Sequence, residues 1–101
     1  MSRIEKMEQL LSDTPEDVFL NYAYGMELFK ESRIQEAITA FAKVRELDSN
    51  YVPAYFQQGQ MLAQEGRIEE ARAILTEGIE VAKKTGDDHA LGEMTEYLET
   101  L

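Results

Sequence analysis

The sequence predicts an all-α protein built from a repeated pair of antiparallel helices. Three observations carry that prediction. Shifting the 101-residue chain by 34 positions aligns residues 18–51 with residues 52–85 at nine identities, where ordinary composition gives roughly two. Apolar residues recur with helical spacing throughout. Turn and cap residues interrupt the pattern where a helix pair must reverse.

The elements follow in order. Ile4, Met7, Leu10 and Leu11 form one apolar stripe, which predicts an amphipathic helix over 2–12. Thr14-Pro15-Glu16-Asp17 then offers a capping hydroxyl, a proline at the first helical position and acids at the positive end of a helix dipole. This predicts a helix over 15–31. In it Val18, Tyr22, Gly25, Met26 and Phe29 follow one face, and Tyr24 and Leu28 mark a second. Ile34, Ala37, Ile38, Phe41, Val44 and Leu47 predict the next helix, over 34–47.

Asp48-Ser49-Asn50 reads as a loop and cap, and Pro53 is tolerable only in a first turn. Tyr55, Phe56, Gly59, Leu62 and Ala63 predict a helix over 51–65; Ile68, Ala71, Leu75, Ile79 and Ala82 predict one over 68–84. Gly86 can end a helix in the left-handed region, and Asp87 or Asp88 can cap the next. Ala90, Leu91, Met94, Tyr97, Leu98 and Leu101 form the stripe of a last helix, over 88–100. A helix with two apolar faces needs neighbours on both, so stacking is implied. The clearest repeated stretch is Glu31-Ser-Arg-Ile-Gln-Glu-Ala37 against Glu65-Gly-Arg-Ile-Glu-Glu-Ala71, with Ser32 or Gly66 at the turn.

Composition bounds the function. Hydrophobic content of 44% and charged content of 30% describe a globular chain, and there is no cysteine for disulfide or thiolate chemistry. The net charge is −10, of which residues 86–101 carry −5 and residues 1–17 carry −3; each repeat carries only −1. An acidic surface repels phosphate, which argues against nucleic acid and anionic membranes as partners. Residues 1–11 are not a signal peptide and no stretch reaches the ~20 apolar residues of a membrane span, so a cytoplasmic protein is expected. Met1 and the acidic end favour a complete small protein.

Catalytic candidates are few. His89, in Asp87-Asp88-His89 with Glu93 one turn on, is the only histidine; consecutive residues at a helix start do not converge on a metal, and helix capping is the favoured reading. No Gly-rich phosphate loop occurs, and hydroxyl nucleophiles lack a base. No enzyme, metal or cofactor is expected.

The 34-residue period with this helix–turn–helix pattern resembles the tetratricopeptide repeat. Gly25 and Gly59 match the family's small residue in the first helix, Leu28 and Leu62 its large apolar residue, Ala37 and Ala71 its alanine in the second helix, and Phe41 the following aromatic, replaced by Leu75 in the second copy. There are departures: Asn21 and Tyr55 stand at the tryptophan position, Val44 and Gly78 at the later alanine, and Ser49 and Lys83 at the proline. The resemblance implies a right-handed solenoid over residues 1–101 as one domain: a helix over 2–12, repeats at 18–51 and 52–85, and a capping helix within 86–101.

It also implies a concave groove lined by the first helix of each repeat, and a role as an interaction module or adaptor. The groove residues are then Phe19, Tyr22, Met26, Phe29 and Lys30, with Pro53, Phe56, Gln60, Ala63 and Gln64. That strip is apolar, with the aromatics and methionine that interface centres favour, and predicts an apolar peptide or helix as partner. The alternatives are a homodimer through the same strip, residues 2–12 folded over part of it, or that these faces are core. Some family members clamp acidic chaperone tails with basic residues. The corresponding positions here, Tyr22, Met26, Gln57, Asp87 and Leu91, hold no base, so that ligand is not expected.

Overall fold

The computed structural model describes residues 1–101 as six α-helices and no strand. They are α1 (Arg3–Asp13), α2 (Val18–Lys30), α3 (Ile34–Leu47), α4 (Val52–Gln64), α5 (Ile68–Thr85) and α6 (Asp88–Glu99). Contacts divide the chain into two compact units, residues 1–48 and 49–101.

In the first unit α1 opens with a capping box. Ser2 Oγ accepts from the Glu5 N–H, and the Glu5 carboxylate accepts from the Ser2 N–H. The expected start of α2 at Pro15 is corrected. Thr14 belongs to the end of α1: its N–H and its hydroxyl both donate to the Leu10 carbonyl, each at 3.0 Å. Thr14 therefore cannot open the next helix. Asp17 does so instead, its Oδ1 accepting from the Leu20 N–H at 2.9 Å, and α2 begins three residues late.

The reversal between α2 and α3 is a Schellman turn. Arg33 N–H donates to Leu28 O and Ser32 N–H to Phe29 O, both at 2.9 Å. Ser32 has φ 62°, the one non-glycine residue in the left-handed region. Across that turn Gly25 lets α2 approach α3 closely: a Cβ there would stand 2.9 Å from the Phe41 ring. Leu28, Ala37, Phe41 and Val44 are fully buried between the two helices. Each large member contributes about 2 kcal/mol of burial.

The second unit repeats the hairpin. Gly66 sits at φ 78°, Arg67 N–H donates to Leu62 O at 2.9 Å and Gly66 N–H to Ala63 O at 3.0 Å. Gly59 faces Leu75 as Gly25 faces Phe41. The N-cap position of α4 falls one residue beyond the expected Asp48-Ser49-Asn50. Tyr51 holds the N-cap position of α4 and its side chain does not cap the helix; Pro53 lies in the first turn, where its missing N–H costs nothing. Gly86 ends α5 at φ 75° and Asp87 caps α6, its Oδ1 accepting from the Ala90 N–H at 3.0 Å. α6 closes this unit by burying Met94 against Gly78, where a Cβ would meet Met94 Sδ at 2.8 Å and Tyr55 Cβ at 2.6 Å. No helix is long and apolar enough to cross a membrane.

Two of the sequence departures acquire a shared purpose. Asn21 Nδ2 donates to the Pro15 carbonyl at 3.0 Å and to the Asp17 carbonyl at 2.8 Å. Tyr55 Oη donates to the Ser49 carbonyl at 2.8 Å. Pro15 and Ser49 are themselves 34 residues apart. Different side chains thus tie the second turn of α2 and of α4 to the carbonyl six residues before.

Candidate partner-binding site

The residues proposed for the groove fall on the first helix of each repeat. On α2 they share one face, but not one degree of exposure. Phe19 is 74% exposed and Met26 37%, and Lys30 is also exposed. Tyr22 and Phe29 are half-buried. Tyr22 leans on Phe41 of α3, edge to face at 5.4 Å between ring centroids. The outward part of the strip is therefore Phe19, Met26 and Lys30, and its flank is structural.

α1 lies against a different face of α2. Tyr24 Oη donates to Glu8 Oε2 at 2.8 Å, and Arg3 Nε pairs at 3.3 Å with Glu27, whose carboxylate is nearly buried. On a helical wheel Tyr24 stands about half a turn from the centre of the strip. Burial, and then the hydrogen bond to the Glu8 carboxylate, push the Tyr24 phenol up to about 12, because both disfavour the phenolate.

On α4, Pro53 and Gln64 are exposed, and Phe56, Gln60 and Ala63 are half-buried. Phe56 stacks edge to face on Tyr97 of α6 at 6.0 Å. It also forms one wall of a cleft of about 350 Å³ between α4 and α6. Val52, Pro53, Phe56 and Gln57 line one side, and Asp87, His89, Ala90 and Glu93 the other. His89 Nε2 lies 3.2 Å from Glu93 Oε1, and both are exposed. No group of three or more His, Asp or Glu side chains is arranged to hold a metal ion.

Sequence reasoning missed one concavity. In the first unit Asn21, Tyr24 and Leu28 of α2 face Gln35, Glu36, Thr39, Ala40 and Lys43 of α3 across about 410 Å³ of mostly apolar space. The signal was present in the 34-residue alignment: Ala40 stands where the second repeat has Ile74, and Asn21 where it has Tyr55. The smaller side chain of Ala40 leaves the space open. At its edge Arg33 hydrogen-bonds Glu36, which lowers the pKa of Glu36 and raises that of Arg33.

Comparison with known proteins now adds a third line. A family model described as tetratricopeptide repeat matches residues 28–91. No curated protein sequence matches the chain. Among solved structures, a tetratricopeptide repeat domain protein from Salinibacter ruber is 30% identical, over 85% of this chain and 87% of that one, with a TM-score of 0.80. The TPR2B domain of yeast Sti1, solved as a pHsp70 complex, is 19% identical, over 95% and 77% of the two chains, with a TM-score of 0.87. The type III secretion translocator chaperone SycD of Yersinia enterocolitica is 17% identical, over 96% and 68%, also with a TM-score of 0.87. At such identities the last two show the fold alone.

Proposed function

This chain belongs to the tetratricopeptide-repeat family, and on that premise we propose that it is an adaptor whose partner is an apolar peptide or helix. Tetratricopeptide domains are protein-interaction modules and are generally non-catalytic. The docking residues proposed are Phe19, Tyr22, Met26, Phe29 and Lys30 on α2 and Phe56, Gln60 and Gln64 on α4, serving one interaction domain over residues 1–101. No catalytic step and no cofactor belong to this reading.

One observation carries it. Phe19, a large aromatic, is 74% exposed on α2 beside the exposed Met26, while α1 is tied to another face of the same helix. Leaving such a side chain in water forgoes about 2 kcal/mol of burial, which a bound partner recovers. The test is the paired substitution Phe19→Glu and Met26→Glu, compared with the wild type by affinity capture from native lysate and by circular dichroism. Both side chains point outward, so the helical signal is expected to persist while captured partners are lost. Retention of every partner by the folded variant sinks the proposal.

The same exposed ring also suits a second copy of the chain, and this is the competing reading. Light scattering across a wide concentration range separates the two. A strict monomer leaves the separate partner as the occupant, and a dimer dispersed by the paired substitution assigns the strip to self-association.

A further inference from the structure

The cleft between α4 and α6 differs from the strip on α2 in its charge. Val52, Pro53, Phe56 and Ala90 give it an apolar part, beside the polar Gln57. Its acidic groups are the carboxylates of Asp87 and Glu93, and His89 Nε2 lies 3.2 Å from Glu93 Oε1. Lys83 and Lys84, the bases nearest in sequence, do not line it, and residues 86–101 contain no lysine or arginine at all. The N-terminus of α6 offsets part of this, since a helix dipole supplies about half a positive charge there. That is too little to balance two carboxylates. Both acids are exposed, and Asp87 uses Oδ1 on the Ala90 N–H. The Phe56 side chain lines the same cleft.

We propose that the α4–α6 cleft takes a basic peptide segment, an apolar residue seating on Phe56 and Pro53 and a flanking lysine or arginine lying between Asp87 and Glu93. The inference rests on the reading of the chain as a protein-interaction module and gives that module's partner a chemistry. The net charge of −10 acts in the same direction at long range, drawing cationic segments to the surface before contact. An acidic segment meets the opposite field in the cleft.

Two short synthetic peptides test this. They share their apolar positions; one carries lysine and arginine at the rest and the other glutamate. Binding of each to the full chain is followed by fluorescence anisotropy at low and moderate salt. Two paired variants accompany the wild type. Asp87→Asn with Glu93→Gln removes the charge of the cleft while asparagine keeps the helix cap. Glu16→Gln with Glu46→Gln removes the same charge from exposed sites in the first unit.

The basic peptide is expected to bind, more weakly as salt rises, and the acidic one not to bind. The cleft pair is expected to weaken binding about fivefold or more, and the control pair by less than about twofold. Equal binding of the two peptides overturns the proposal. So does equal weakening by the two variant pairs, which marks unspecific attraction to an acidic chain, and so does the absence of any binding. None of these outcomes touches the α2 strip, whose own test reads Phe19 and Met26.

Discussion

The two helical hairpins α2–α3 and α4–α5 use one plan with different side chains in the same places. In the second, Tyr55 projects from α4 onto α5, and Gly78 makes room: a Cβ there would lie 2.6 Å from Tyr55 Cβ. Thirty-four residues earlier the bulk is reversed, with Asn21 on α2 and a fully buried Val44 on α3. A large residue on one helix goes with a small one on its neighbour. Taken singly, each of these four residues is a departure from the family pattern. Taken as pairs, they conserve volume, which close-packed interiors require. The turns show the same economy, with Ser32 at φ 62° in one hairpin and Gly66 at φ 78° in the other.

Making the second hairpin resemble the first is the strongest way to break this comparison. Gly78→Val forces side-chain atoms into Tyr55 and Met94, and should cost about 3 kcal/mol in urea denaturation. Helix propensity works the other way, by only a few tenths of a kcal/mol, and does not rescue it. Adding Tyr55→Asn should cost at least about 1 kcal/mol less than the sum of the single changes. Additive costs would mean that the exchange is not compensatory.

A smaller effect sharpens the comparison at the turns. Ser32→Gly should stabilise the first hairpin by about 1 kcal/mol, because a Cβ is strained at positive φ. Gly66→Ser should destabilise the second by a similar amount, and thermal melting of both variants reads the two signs. The smallest effect is one of pH. The Tyr24 phenol titrates near 12 in the fold against 10 unfolded, so its contribution is whole below pH 10 and fades as pH rises from 10 to 12. Tyr24→Phe should remove that part of the alkaline loss of stability, as measured by denaturation at stepped pH. The ring is only half-buried, so solvent screening keeps the difference small.

Much of the architecture was legible because its signals are local. The repeated Arg-Ile-x-Glu-Ala stretch carries an ion pair one turn apart in each copy, Arg33 with Glu36 and Arg67 with Glu70. The cap at Asp87 and the stop at Gly86 were readable for the same reason. Thr14-Pro15 misled because a threonine before a proline suits the start of a helix, yet the carbonyl of Leu10 was nearer to hand. On the candidate site, helical spacing placed Phe19, Tyr22, Met26 and Phe29 on one face. It had no means of separating the outward Phe19 from Tyr22, whose exposure depends on Phe41, a residue 19 positions on.

The amino-acid sequence by itself determined the helix count, the period and the turns, since each follows from spacing and the properties of a few neighbouring residues. Tertiary structure alone decided which face of α2 α1 takes, how Asn21 and Tyr55 come to serve the same tie, and which side chains line the cleft beside Phe56. Those outcomes depend on how volumes and polar groups from distant segments are satisfied together, and no local pattern encodes that sum.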